Sequence, residues 1–279
     1  MKVVNTILEL KEAIDLQRQR DAIVGFVPTM GALHKGHLSL VQKAGEQSDF
    51  VVVSIFVNPT QFNNKEDLER YPRDLDKDIE LLDKSACKLI FAPSVKEMYP
   101  EEDKRQFNFG HIEHVMEGRF RKGHFNGVAQ IVSKLFYAVN PHKAFFGYKD
   151  FQQVAVINKM VEMLKIDVEI VPCPIIREDD GLAMSSRNML LDADQRKNAV
   201  VISQTLFEAV KKSKNMSVQE IKKWVVETID ANPFLETEYF EIVDDKELNE
   251  INSWDQEVNK IGCIAVHCGK VRLIDNVSF

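Results

Sequence analysis

The sequence predicts an α/β fold: a doubly wound, Rossmann-like parallel sheet followed by a smaller C-terminal α+β domain. Three observations carry that class. From the N-terminus to Pro174, short apolar runs alternate with segments whose apolar residues recur at helical spacing. The run Phe50 to Val57 is almost continuously apolar and β-branched, the pattern of a strand covered by helices on both faces. Beyond Pro174, long helical segments give way to consecutive strands, so the expected division is residues 1–176 and 177–279.

In chain order, Ile7, Leu10, Ile14 and Leu16 mark a helix, and Ala22 to Val27 a buried strand. PTMGALHKGH is a loop, and Leu38, Val41 and Ala44 share one face of the helix after it. With Phe50 to Val57 these make a strand–helix–strand unit. Leu75 to Leu82 predicts a helix, Lys88 to Ala92 a strand, and Val128 to Val139 a helix. KAFFG, FQQVAVINKMVEML and VEIVPCP continue as strand, helix and strand. Asp192 with Gln195, and Ser217 with Glu220, are spaced as capping boxes that open two further helices. YFEIVD and IGCIAVHCGKVRLIDN predict antiparallel strands turning near Gly269.

Composition bounds the function. The 279 residues are 44% apolar and 28% charged, enough for a sizeable core. Lys and Arg number 36 against 43 Asp and Glu, a net charge of -7, which argues against a nucleic-acid-coating surface but allows a local anion site. Cys87, Cys173, Cys263 and Cys268 have no CxxC spacing and are expected to be reduced thiols in a cytoplasmic protein. Cys263, His267 and Cys268 fall in a strand-like alternation, and a zinc site would need more ligands. Glu9, Lys11, Glu12 and Asp15 interrupt the N-terminal apolar pattern, so no signal or membrane span is expected.

The strongest motif is Val27-Pro-Thr-Met-Gly-Ala-Leu-His34-Lys-Gly36-His37, between a strand and a helix. Gly36 allows close backbone approach, and the opening helical turn offers free N–H groups and a positive dipole end to an anion. His34 and His37, three apart, lie near one side of that turn and can donate to phosphate oxygens.

HxGH in this position resembles the signature of the nucleotidyltransferase superfamily. The longer set PTMGALHKGHLSLV, VNPTQF, RYPRDLDKD, GHFNGVAQIVSKLF, FFGYKDFQQ and REDDGLAMSSRN, in order, resembles the pantothenate synthetase family. What that resemblance implies is ATP-dependent condensation of pantoate with β-alanine to pantothenate, AMP and pyrophosphate, through a pantoyl adenylate. It implies contacts to ATP, as a substrate, from Met30, Gly31, Ala32, Leu33, His34, Lys35, Gly36, His37, Gly147, Tyr148, Lys149, Asp150, Ile176, Met184, Ser185, Ser186 and Arg187. His34, His37 and Lys149 are expected to be catalytic, since a compact ammonium on a flexible stem can follow moving phosphate charge. Ile176 and Met184 would pack around adenine, and Met184-Ser185-Ser186-Arg187 replaces the lysine-bearing loop of tRNA-charging relatives.

Gln61 and Gln153 are implied to hold pantoate, with Gln61 also near β-alanine, because an amide can donate to a carboxylate and accept from a hydroxyl. Asp74, Asp76 and Asp78 are either an acidic edge for Mg2+ or a solvated helix start; the metal is expected to be held mainly by ATP oxygens. Residues 118–127, rich in basic residues and glycine, are expected to be a flap or a mobile surface loop. Other readings are a nucleotidyltransferase that stops at a nucleotide-linked product and a tRNA-charging protein. Against the latter stand the acidic charge and the absent loop lysine. A homodimer is expected, with no nucleic-acid or membrane partner.

Overall fold

The computed structural model describes residues 1–62 and 65–279. Its first part is β1 (Lys2–Val4), α1 (Ile7–Arg18), β2 (Val24–Thr29), α2 (Lys35–Gln47) and β3 (Phe50–Ile55). There follow α3 (Lys65–Arg70), α4 (Leu75–Asp83), β4 (Cys87–Phe91), α5 (Val95–Met98), α6 (Met116–Phe120) and α7 (His124–Val139). β5 (Lys143–Gly147), α8 (Phe151–Leu164) and β6 (Glu169–Cys173) complete the sheet. The six strands are ordered β1-β4-β3-β2-β5-β6 and all neighbours are parallel. The chain moves outward from β2 in one direction through β3 and β4, and β5 then starts the other direction. That places the switch point between the carboxyl ends of β2 and β5, where an open α/β sheet leaves a crevice.

The buried faces explain the order. Val24, Phe26, Val52, Phe91 and Phe145 are essentially inaccessible, and α7 presents Phe136 edge-on to Phe26 and Phe146 at centroid separations of 6.3 Å. The edge strand β1 is the strand that periodicity does not reveal, as it does not reveal the short helices α3, α5 and α6: three residues with only Val3 and Val4 apolar fall below any pattern. The HxGH segment therefore follows the second strand in the chain, not the first.

The remainder is α9 (Ala193–Lys212), α10 (Val218–Asp230) and an antiparallel sheet of β7 (Leu235–Asp244), β8 (Lys260–Cys268) and β9 (Val271–Ser278). Both expected capping boxes are formed, at Asp192/Gln195 and Ser217/Glu220. The β8–β9 turn falls at Gly269 and Lys270. This sheet does not stand apart: Val243, Ile261 and Cys263 join the same apolar cluster as the parallel sheet and α7.

Residues 118–127 are not a loop. Residues 118–120 lie in α6 and 124–127 in the first turn of α7. Arg121 pairs with the buried Glu117 at 3.2 Å, and Glu117 also accepts Arg272 from β9 at 2.7 and 2.9 Å. Burial pushes the Glu117 carboxyl up, but Arg272, Arg121 and Tyr239 together bring it down to about 2. A side chain at Gly127 would meet the Thr60 carbonyl oxygen at 2.4 Å, so α7 packs on the 59–61 turn only through glycine.

Candidate active site

An open cleft of about 1240 Å³, counted out to solvent, lies over the β2–β5 switch point. From β2 and the helix after it come Met30, His34, Gly36 and His37; from the turn after β5, Gly147, Lys149 and Asp150. Ile176, Met184, Ser185, Ser186 and Arg187 face them from the segment after β6, and Gln61 and Gln153 complete the wall. The expected residues Gly31, Ala32, Leu33, Lys35 and Tyr148 do not line the cleft. Lys35 is exposed, and Ala32 and Leu33 are buried behind the wall.

His34 and His37 form a reciprocal cap at the start of α2. The His34 backbone N–H donates to His37 Nδ1 at 3.3 Å, and the Gly36 N–H donates to His34 Nδ1 at 3.1 Å. Both Nδ1 atoms act as acceptors, so each neutral ring carries its proton on Nε2. The rings lie 4.0 Å apart between centroids, tilted by 40°. Burial, reinforced by Lys149, holds His34 down at about 4. Burial, with His34 and Lys149 nearby, holds His37 at about 3. At neutral pH the pair offers neutral N–H donors, and Lys149 supplies the fixed positive charge beside them. A Cβ at residue 36 would sit 2.8 Å from His34 Cε1, so Gly36 makes room for the ring that caps its own N–H.

Lys149 sits in the 3-10 turn Tyr148–Asp150, half-buried, with Nζ 3.5 Å from Asp150. Across the cleft, the Met184 N–H donates to the Ile176 carbonyl at 3.0 Å, which brings these two apolar residues side by side. Ser185 caps the 3-10 turn Ser186–Leu190 by accepting the Arg187 N–H. The buried Ser186 hydroxyl donates to the Ala32 carbonyl at 3.0 Å, tying the two signature segments together. Arg187 donates to Asp67 of α3 at 2.9 Å.

Three residues that periodicity and motif do not single out hold the site in shape. Asn58, 1% exposed, donates to Gln61 Oε1 and to the Gly127 carbonyl, both at 3.1 Å, and accepts the Tyr99 hydroxyl at 2.9 Å. Gln61 Nε2 in turn reaches Met30 Sδ at 3.0 Å. Buried His124 engages the Gln61 carbonyl through Nδ1 at 2.9 Å, and burial depresses its pKa to about 3. Gln152, beside Gln153, turns inward, donating to the Ile112 and Val115 carbonyls and accepting the Glu117 N–H.

The acidic run divides. Asp74 caps α4, while Asp78, 2% exposed, accepts the Ala32 N–H at 2.9 Å and the Leu33 N–H at 2.7 Å. Gly31 and Ala32 both have left-handed backbones, with φ of 81° and 50°, and Asp78 is what fixes them. Neither the solvated helix start nor a metal edge describes Asp78. Among the described residues no group of three or more His, Cys, Asp or Glu is arranged to hold a metal ion.

An α/β enzyme with a cleft at the switch point of its parallel sheet, lined by two histidines at a helix N-terminus, is the class this geometry defines. A profile described as pantoate-beta-alanine ligase matches residues 2–278. The chain is 54% identical over 279 residues to pantothenate synthetase of Bacteroides fragilis strain YCH46, covering 100% of this chain and 99% of that protein. It is 55% identical over 280 residues to that of Phocaeicola vulgatus, with the same coverage. The crystal structure of pantothenate synthetase from Thermus thermophilus superposes with a TM-score of 0.93 at 43% identity, covering 99% of each chain. That of pantoate-beta-alanine ligase from Francisella tularensis, complexed with beta-gamma ATP and beta-alanine, gives 0.81 at 34%, covering 100% of this chain and 97% of that one. The chain belongs to the pantoate–β-alanine ligase family. The reaction of that family is the ATP-dependent condensation of pantoate with β-alanine. Among the described residues no helix is long and apolar enough to cross a membrane.

Proposed function

We propose that the cleft carries out this condensation in two steps, with the residues in the roles the family resemblance implies. In the first, a pantoate carboxylate oxygen attacks the α-phosphorus of ATP and the bond to pyrophosphate breaks, giving pantoyl adenylate. In the second, the amine of β-alanine attacks the acyl carbon, AMP leaves, and the nitrogen loses a proton. A carboxylate is a poor electrophile at neutral pH, so activation precedes amide formation. Charge builds on phosphate oxygens in the first step, and fixed donors aimed there lower its barrier most.

The observation that carries this reading is the shared wall. The neutral Nε2–H donors of His34 and His37 and the ammonium of Lys149 line one cleft with the amides of Gln61 and Gln153. The first set suits phosphates and the second a hydroxy acid with a carboxylate. Ile176 and Met184 offer an apolar face for adenine, and Arg187, anchored on Asp67, adds a guanidinium to the same lining. Mg2+ belongs to the same reading: it would arrive on the phosphate oxygens and moderate their charge, because the described protein side chains offer no cage of their own. The division at residues 176 and 177, a homodimer and a cytoplasmic location complete it, the last supported by four free, buried cysteines.

The test is isotope exchange. Labelled pyrophosphate is expected to enter ATP when enzyme, magnesium and pantoate are present without β-alanine, and added β-alanine should then release AMP. Exchange that ignores pantoate, or that requires the amine, would overturn the two-step scheme.

A further inference from the structure

The turn that carries Lys149 is held from outside the parallel sheet. Asn276, on β9 and 7% exposed, donates through Nδ2 to the carbonyls of both Tyr148 and Lys149, at 2.8 and 3.1 Å. Asn276 is itself fixed. Its backbone N–H donates to Asp275 Oδ1 at 2.7 Å, and its carbonyl accepts Arg177 Nη2 at 3.2 Å. Arg177 grips the buried Asp275 with both ends of its fork, at 2.6 and 2.9 Å, and also donates to the Gly181 carbonyl at 3.1 Å. One amide with two donors thus closes on two adjacent carbonyls, backed by a bidentate ion pair.

The directions of these two successive carbonyls set where the Lys149 side chain leaves the backbone. We propose that Asn276, locked by Arg177 and Asp275, is a positioning residue for Lys149: the antiparallel sheet sets the approach of the ammonium to the phosphates. The inference rests on the role given to Lys149 above. Arg177 extends the same hold to the segment leading into Met184 to Arg187, so one strand of the second sheet braces the cleft from two sides.

The experiment is a double-mutant cycle on the full chain, read by pantoate-dependent pyrophosphate exchange. A misplacement of about 1 Å can cost on the order of 100-fold in rate, so Asn276→Ala is expected to slow exchange roughly 10- to 100-fold. Asn276→Asp, equal in shape but facing two carbonyls with a carboxylate, should be at least as slow and serves where the alanine variant folds poorly. In the Lys149→Ala background either substitution should add less than about threefold, because a positioning effect vanishes with the group positioned. Conversion of supplied pantoyl adenylate by β-alanine should be slowed clearly less than exchange, since pyrophosphate has already gone and only one α-phosphate oxygen gains charge as AMP leaves. Full additivity with Lys149→Ala, or equal slowing of both half-reactions, would reduce Asn276 to a structural tie and overturn the inference. If Lys149→Ala alone leaves exchange unchanged, the role of Lys149 fails instead, and the two failures are told apart.

Discussion

In the proposed reading, His37 has two separable jobs, and two substitutions pull them apart. Its Nδ1 accepts the His34 N–H at 3.3 Å as part of the helix cap, while the opposite edge of the ring carries the Nε2–H that lines the cleft. In His37→Asn the side-chain oxygen can replace Nδ1, and nothing reaches the place of Nε2. In His37→Gln the amide NH2 reaches that place, and the cap acceptor is lost. A missing cap bond of this length costs about 1 kcal/mol of stability at most, a few degrees in melting temperature. A missing preorganised donor to the developing phosphate charge costs about 2.7–4 kcal/mol, or roughly 10²- to 10³-fold in rate. His37→Asn should therefore melt near the parent temperature and adenylate roughly 10²- to 10³-fold more slowly. His37→Gln should melt lower and adenylate within about tenfold of normal. Rapid-quench measurement of single-turnover adenylate formation, with thermal unfolding by circular dichroism, reads both quantities. Equal slowing in the two variants, or normal adenylation by His37→Asn, would remove the Nε2–H from the mechanism.

Gln61→Ala and Gln153→Ala are expected to weaken pantoate by roughly 5- to 150-fold, the cost of one lost uncharged partner in a buried site, while ATP binding changes little. Calorimetric titration of each substrate checks this, and equal weakening of both would contradict the placement. Asp78→Asn turns one amide NH2 against a backbone N–H of Ala32 or Leu33; about 1–3 kcal/mol of lost stability is expected in denaturant titration, with weaker ATP binding. An unchanged midpoint and unchanged ATP affinity would mean that the left-handed turn stands without Asp78. Acid should destabilise the ligand-free protein: burial depresses His124 to about 3, so from pH 6.5 downward the unfolded chain takes up a proton that the folded one refuses. That loss approaches about 1.4 kcal/mol per pH unit for His124, with His34 and His37 adding to it, and His124→Asn should flatten the slope of unfolding free energy against pH. ATP, in turn, should raise the low values of His34 and His37 by adding negative charge beside them. Titrations in buffers of different ionisation enthalpy should then show net proton uptake on binding below about pH 6.

What the sequence shows and what it hides divide along chain separation. The parallel sheet is legible because every strand but β1 carries its own apolar pattern, and residues 51–54 are buried as the composition demands. The capping boxes at Asp192 and Ser217 are legible because both partners lie within one turn. The 118–127 segment misleads because glycine and basic residues signal a loop only when nothing neutralises them. Here Glu117 takes Arg121 locally and Arg272 from 155 positions away. Asp78 misleads in the same way: in sequence it is one of three alternating aspartates, and its partners at Ala32 and Leu33 lie 46 and 45 positions upstream. No local rule distinguishes a carboxylate that faces water from one that closes on two distant amides.

The residues that motif reading supplies are those expected to touch substrate, and the residues it misses are those that hold them. His34 and His37 depend on each other's caps, Gln61 on Asn58, the Met30–Leu33 segment on Asp78 and Ser186, and the Lys149 turn on Asn276. Each holder is buried or shielded, so its hydrogen bonds act in a medium where leaving one unmade is costly, and the donor it aims has few alternative positions. A cleft assembled this way has its donors in place before phosphate charge develops, so little reorganisation is left for the chemical step. The antiparallel sheet accordingly does more than enlarge the core: through Asn276 and Arg177 it reaches the Lys149 turn and the segment before Met184, while Arg272 reaches α6. Loosening that sheet should therefore slow adenylation before it unfolds the parallel sheet, because turns held by a few directed bonds open at lower free energy than a core held by apolar burial.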